Sequence, residues 1–339
     1  MADLEEAILM HRESLSLCPT PHPRRPTILN NLAIALQDHF KMTGSMTDIE
    51  EAILILHESL SLVPTPHPDR STLLTNLGSR LCNRFRRTGS MADLEEAILM
   101  HRESLSLLPA PDPYRSTPLN NLANALNDRF EITGSMTDLK EAILMHRESL
   151  SLRPIPHPLR YFSLNNLATA LITRFRRTGL MTDLQEVILL HRESLSLRPT
   201  SHPYYSNSLY NLALALRAHF EKTGSMTDLE EAILLHRESL SFRPTPHPDR
   251  FDSLNGLACA LWDRFRKTGS ITDQSDLEEA ISMLREVLLS LGPNATHPRR
   301  LSFLKSLASF LETRFKENGS QSDFEEVASL RQEILAMSK

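Results

Sequence analysis

Glycine is scarce, with 10 residues in 339, tryptophan occurs once, and there are only three cysteines, Cys18, Cys82 and Cys259. So few thiols, at unrelated places, argue against a disulfide framework and suit a reducing compartment. No run of about 18 apolar residues occurs, and no basic leader precedes an apolar stretch, so neither a membrane-spanning helix nor a secretory signal is expected. The sequons at Asn294 and Asn318 then read as chance matches, and the expected location is cytoplasmic, ahead of nuclear. Enzymatic signatures are missing as well. There is no Gly-x-x-x-x-Gly-Lys loop, no Gly-x-Ser-x-Gly, no His-Glu-x-x-His and no paired-cysteine zinc spacing. The chain therefore reads as non-catalytic, with no cofactor and no metal. A net charge of -5 speaks against general nucleic-acid binding.

What is abundant is repetition. The segment Asp-Leu-Glu-Glu-Ala-Ile-Leu, with small variations, recurs from Asp3 through Asp48, Asp93, Asp138, Asp183 and Asp228 at steps of 45, then at Asp276 and Asp323 at steps of 48 and 47. A period of this size marks a solenoid, in which each unit stacks on its neighbours and presents an extended surface. Its default function is binding.

Residues 115–154 show what one unit is. Leu119, Leu122, Ala123, Leu126 and Phe130 form one apolar helical stripe, which stops at Thr133-Gly134. Glycine there can adopt the left-handed conformation that closes a helix, and Gly44, Gly89, Gly134, Gly179, Gly224, Gly269 and Gly319 all hold this place. A second helix is predicted to begin at Asp138 as N-cap, with Glu141 three residues on, a pairing present in every copy. Its stripe is Leu139, Ala142, Ile143, His146, Ser149, Leu150 and Leu152. The linker Pro154–Pro158 ends it, since proline cannot extend the outgoing helix but suits the first turn of the next. Each helix is expected to span about 14 to 17 residues.

The whole of 1–339 is thus expected to be one all-α solenoid, with helix pairs at about 24–63, 69–108, 114–153, 159–198, 204–243, 249–292 and 298–337. A helix at 3–17 stands ahead of them without a partner. Its apolar face implies either a preceding part of the protein or self-association through this helix. The other end, with Glu325, Glu326, Arg331, Gln332, Glu333 and Lys339, reads as a modest polar cap.

These residues resemble a tetratricopeptide repeat. Leu119 takes the first large place of that family's pattern, Leu122-Ala123 the following pair, Leu126 the next large place, and Ala142 and Pro154 its alanine and proline. The long unit and the His-Pro-Asp-Arg runs at 67–70 and 247–250 resemble kinesin-light-chain repeats. Near-identical tandem copies also resemble fungal arrays attached to nucleotide-binding or caspase-like (CHAT) modules. The resemblance implies a right-handed superhelix whose first helices line a concave, ligand-holding side. One departure stands out. The family's aromatic on the second helix is replaced by His11, His101, His146, His191 and His236, with Leu56, Leu284 and Arg331 in the remaining copies. Histidines one repeat apart are too distant to share an ion at ligand lengths of about 2 Å, and exchange with leucine points to packing. The linker histidines His22, His67, His157, His202, His247 and His297 read as caps or turn residues.

Comparing the copies inside the chain, one face of the first helix varies while the framework does not. It carries Asn30, Ile34, Gln37 and Asp38; Thr75 and Asn83; Asn120, Asn124, Asn127 and Asp128; Phe162, Asn165 and Thr169; Tyr210, Leu214 and Arg217; Asn255, Trp262 and Asp263; and Lys305. The spacing puts them on a single helical face. Either they form a graded groove, with asparagines for a peptide backbone and Phe162, Tyr210 and Trp262 as anchors, or they have drifted after duplication. Arginines alternate too: Arg84, Arg86 and Arg87, Arg174, Arg176 and Arg177, and Arg264, Arg266 and Lys267 mark even copies. This is either a basic stripe for acidic ligands or the record of a duplicated two-repeat unit. The expected partner is a protein or peptide segment held in the concave groove. The alternatives are a sensor or oligomerisation region of a larger signalling protein, and a nucleic-acid-binding array.

Overall fold

The computed structural model describes residues 2–269, 274–292 and 299–337; Asn294, His297 and Lys339 lie outside them. Among the described residues there are fifteen α-helices and no strand. They are α1 (Ala2–Ser16), α2 (Arg25–Thr43), α3 (Met46–Ser61), α4 (Arg70–Thr88), α5 (Met91–Ser106), α6 (Ser116–Thr133), α7 (Met136–Ser151), α8 (Arg160–Thr178), α9 (Met181–Ser196), α10 (Tyr205–Thr223), α11 (Met226–Ser241), α12 (Arg250–Thr268), α13 (Gln274–Leu291), α14 (Arg300–Asn318) and α15 (Gln321–Met337). The chain divides into two compact units, Met1–Thr178 and Gly179–Lys339. In each unit consecutive helices pack against one another, the arrangement of a helical-repeat solenoid.

The first helix of each pair is longer than expected. It runs 18 or 19 residues, because it starts at or just after the residue that follows the proline linker, arginine in six copies and Tyr205 in α10. It ends where anticipated. The glycine N–H of Gly44, Gly89, Gly134, Gly224 and Gly319 donates to the phenylalanine carbonyl four residues back at 2.7 Å, with φ between 67° and 74°.

The start of the second helix differs from expectation in an instructive way. Serine is the N-cap, not aspartate: Ser90, Ser135 and Ser225 accept from the N–H of Asp93, Asp138 and Asp228 at 3.4 Å. The helix therefore begins two residues before the aspartate, whose side chain is released for another task. Arg84 grips Asp93 with two bonds of 2.7 Å, and Arg129 grips Asp138 at 2.8 and 2.7 Å. Arg264 and Arg314 hold Asp276 and Asp323 the same way, while His39 and His219 approach Asp48 and Asp228 at 2.6 Å. Each tie clamps the end of a first helix to the start of its second. The bond to Asp93 raises the Arg84 pKa and that to Asp138 raises that of Arg129. Asp138→Ala is expected to lower the urea-unfolding free energy by about 1–2 kcal/mol, less than a fully buried pair because Arg129 keeps Glu95 and some solvent. An unchanged midpoint would remove this clamp from the account.

The far end of the pair is closed by a second ion pair. Arg25, Arg70, Arg115 and Arg300 at the head of the first helix reach Glu58, Glu103, Glu148 and Glu333 on the second at 2.6 to 3.1 Å. Between the two closures lies the apolar stripe. In α6 and α7, Leu119, Leu122, Ala123, Leu126, Phe130, Leu139, Ala142 and Ile143 are all buried, and alanine lets the backbones approach. Each large side chain so buried contributes about 1.5–3 kcal/mol. The linker histidines stiffen the turn: Nδ1 of His22, His67, His157, His202 and His247 accepts from the N–H two residues on at 3.1 or 3.2 Å.

Neighbouring pairs are spaced unevenly. Within a unit, first helices touch the next first helices, as α4 does α6 and α10 does α12. Second helices are instead joined by long exposed arginine–glutamate pairs, Arg12–Glu51, Arg102–Glu141, Arg192–Glu231 and Arg237–Glu279, at 2.6 to 2.8 Å. First helices thus form the tighter, inner side of each unit.

Candidate peptide-binding face

The variable face of the first helices lies on this inner side, but much of it is occupied by the neighbouring repeat. In unit 1, Asn76 donates to Asn30 Oδ1, Asn83 to Gln37 Oε1 and Asn166 to Asn120 Oδ1, each at 2.8 Å. Asn121 donates to Ser79 Oγ at 3.1 Å, and Arg86 to Asp128 at 3.0 Å. In unit 2, Arg217 bonds Asp263 at 2.6 Å. Thr75 is buried and bonds Ser104 Oγ at 2.8 Å. Asn30, Gln37, Thr75, Asn83, Asn120, Asp128, Arg217 and Asp263 are therefore ties within or between repeats. Their variation follows the partner across the gap rather than solvent, so free drift does not describe them.

Two of the three expected anchors are also consumed by packing. Trp262 stacks on Phe310 with centroids 5.0 Å apart, and its Nε1 donates to Thr313 at 3.3 Å. Tyr210 meets the His236 ring edge-on at 5.5 Å and lies under Arg243 at 5.3 Å. Phe162 remains open, at 46% exposure, and so does Ile34, at 40%. Thr169 and Lys305 are exposed, while Asn124, Leu214 and Asn255 are half-buried. Asp38 is exposed and pairs with Lys41 at 2.8 Å. Three buried amide atoms on this face have no partner: Gln37 Nε2, Asn127 Oδ1 and Asn165 Oδ1.

The arginine alternation is not a free basic stripe. Arg84 and Arg264 hold aspartates, Arg86 holds Asp128, and Arg87, Arg177 and Arg266 lie over the rings of Phe40, Phe130 and Trp262 at 4.6 to 5.6 Å. Four of the five helix-two histidines sit in the packed interior, and His11 is half-buried. His101, His146 and His236 are fully buried and His191 nearly so. Burial pushes His101, His146 and His191 down to about 4 and His236 to about 3. Among the described residues no three histidine, cysteine or acidic side chains are placed to hold a metal. Burial also pushes the Cys82 thiol up to about 12 and raises that of Cys259, so neither is a ready nucleophile.

One feature of the sequence that its periodicity did not reveal is a set of buried arginines at the end of the second helices. Arg153, Arg198 and Arg243 are 3%, 6% and 2% exposed. Each donates Nη1 to a serine ten residues ahead: Arg153 to Ser163 at 2.8 Å, Arg198 to Ser208, and Arg243 to Ser253 at 2.7 Å. Arg153 also reaches Thr117 Oγ1 at 3.3 Å, and Arg243 reaches Asn207 Oδ1 at 2.5 Å. The carbonyls of Tyr204 and Asp249 accept from Arg198 and Arg243 at 3.1 Å. The signal was present as a covarying pair, arginine with serine ten residues later.

Toward the start of the chain the corresponding space is open. A cavity of about 720 Å³ lies among Asp69, Thr72, Leu108, Asp112, Tyr114 and Pro118, and one of about 130 Å³ among Pro26, Thr27, Asp69, Thr72 and Leu73. Along the outer side, Leu9, Leu54, Leu99 and Leu144 in unit 1 are 61 to 70% exposed and occupy one position of the second helix. No described helix is long and apolar enough to cross a membrane.

Comparison with known proteins gives a consistent picture of the repeat. The tetratricopeptide repeat profile matches residues 71–112, 119–158, 163–204 and 206–249. No curated protein sequence matches the chain. Among structures, the nearly identical TPR-like repeats of a Podosopora anserina chain assigned as a kinesin light chain align at 20% identity, covering 66% of this chain and 99% of that one, with a TM-score of 0.46. BtubC (BKLC) from P. vanneervenii aligns at 17% identity over 72% of this chain and 94% of its own, with a TM-score of 0.49. YrrB, described as a TPR protein with an unusual peptide-binding site, aligns at 13% identity over 70% and 95%, with a TM-score of 0.45.

Proposed function

We propose that this chain, which belongs to the tetratricopeptide-repeat family through its four matched repeats, holds an extended protein segment against the inner face of its first helices and performs no chemistry itself. A helical-repeat scaffold of this family serves protein interaction in general. The finer placement is carried by one observation: among inner-face polar groups that tie to one another, the side chains of Phe162, Ile34 and Thr169 remain exposed. Exposed apolar and polar side chains recurring along successive first helices suit a ligand that runs across them in extended form, as a peptide does. The exposed aromatic supplies an anchor. Arg84, Arg86 and Arg264 are held by carboxylates, which speaks against the stripe as a track for a nucleic-acid backbone.

The test is a selection of randomised displayed peptides on the immobilised full chain, followed by affinity measurement on variants. Phe162→Ser and Asn124→Arg are expected to weaken the selected peptides by about tenfold each, while the outer-face Leu99→Ser leaves them unchanged. If Leu99→Ser abolishes binding and the inner-face variants do not, the leucine row is the docking surface and this placement falls.

A further inference from the structure

The repeats differ in how they fill one gap, between the end of a second helix and the head of the next first helix. Three of them close it with their own arginine, and the serine that receives it is fully buried at Ser163, Ser208 and Ser253. At the same step of the period, Val63 and Leu108 stand in place of arginine, and Leu73 and Pro118 in place of serine. Arginine comes with serine and an apolar residue with another. Where the guanidinium is missing, the two cavities lie open.

The larger cavity keeps the groups that receive a guanidinium elsewhere. Thr72 holds the place of Thr117 and Asn207, and Tyr114 holds the place of Tyr204 and Asp249, whose carbonyls accept from Arg198 and Arg243. It also gains negative charge. Asp69 and Asp112 line it, no lysine or arginine does, and the Tyr114 ring is 80% exposed beside them. A carboxylate pair with an aromatic face is suited to a planar cation on a long apolar stem. Leu107, Leu108 and Pro109 offer the surface against which such a stem packs.

We infer that this cavity receives an arginine side chain from the bound protein segment, so that the partner supplies at the second repeat the guanidinium that the third, fourth and fifth repeats supply for themselves. The inference rests on the peptide-holding reading above and adds the chemistry of one ligand residue.

The full chain and two variants, each subjected to the same selection from randomised displayed peptides, decide it. Leu108→Arg/Pro118→Ser installs the arginine and serine of the later repeats and fills the cavity from within. Asp69→Asn/Asp112→Asn keeps the shape and removes the charge, and asparagine can still cap the Tyr114 N–H that Asp112 now holds at 2.8 Å. Peptides selected on the unaltered chain are expected to carry an arginine at one aligned position. Replacing that arginine by leucine, or using either variant, is expected to weaken them by about tenfold, with the loss shrinking as salt rises. Thermal unfolding shows whether the filled variant folds; if it does not, the asparagine pair alone decides. Selected peptides with no arginine preference, bound equally by all three proteins, would overturn this inference while leaving the scaffold reading intact. Binding insensitive to Phe162→Ser and Asn124→Arg would instead overturn that reading.

Discussion

Acidification from about pH 7 to about pH 5 is expected to destabilise both units steeply, and the buried histidines are the reason. In the folded chain His101, His146 and His191 titrate at about 4 and His236 at about 3, against an ordinary value of 6.5. Burial disfavours the imidazolium, and Arg198 beside His191, with Arg217 and Arg243 beside His236, disfavours it further. A folded-state value depressed below the unfolded one means that the unfolded chain takes up protons first. Stability is therefore intact above about pH 6.5 and is lost as pH falls toward about 4. At about pH 5 each histidine accounts for about 2 kcal/mol, so each unit, holding two, loses on the order of 4 kcal/mol. The check is the urea midpoint of the full chain across this range. The protein carries its own control, because Leu56 and Leu284 fill the same position fully buried. His101→Leu/His146→Leu should flatten the acid response of the first unit with little loss at neutral pH, since neither ring nitrogen of His101 has a partner and His146 gives up only its 3.5 Å contact with Asn127. An acid response left as steep as before would show that other groups govern it.

Arg243→Ala is expected to lower the stability of the second unit by about 2–4 kcal/mol, measured by the same denaturation at neutral pH. The side chain is 2% exposed, so truncation leaves a cavity. It also removes the guanidinium bonds to Ser253 Oγ, Asn207 Oδ1 and the Asp249 carbonyl, each left with one other partner, and removes the cation over Tyr210. Relief from desolvation, which lowers the Arg243 pKa in the folded chain, offsets part of this loss. Arg243→Val/Ser253→Leu copies the Val63 and Leu73 combination of the first repeat and should cost less than the single truncation. The reverse order, with the double variant weaker than Arg243→Ala, would mean that the guanidinium itself holds these repeats together.

Of the residues these two experiments probe, the histidines were legible in the sequence and Arg243 was not. The histidines stood out as a departure from the family pattern, and exchange with leucine pointed to packing, where the structure places them. The Asp-x-x-Glu pairing was seen in every copy but assigned to the helix cap. In α5, α7 and α11 a serine three residues earlier performs that task, and the aspartate turns to an arginine or histidine near the end of the preceding helix. Capping is local, so two candidate caps within one turn look alike in a string of letters. Only the packed hairpin shows which carboxylate has a cation within reach. The inner face was identified by its variability, yet Tyr210 and Trp262, chosen as anchors, are spent on His236 and Phe310.

The period, the helix pairs, the glycine stops and the stiff linkers were determined by the sequence alone, because each depends on residues within a few turns of one another. Which inner side chains are free was decided only by tertiary structure. The Asn30–Asn76 and Gln37–Asn83 bonds join residues 46 apart. Apolar periodicity says which face of a helix is buried, but not which polar atom of the next repeat arrives to satisfy it. A buried hydrogen-bonding group takes whatever partner the stacking brings within about 3 Å. The cavity beside Leu108 exists for the same reason, as a gap into which the stacking brings no arginine.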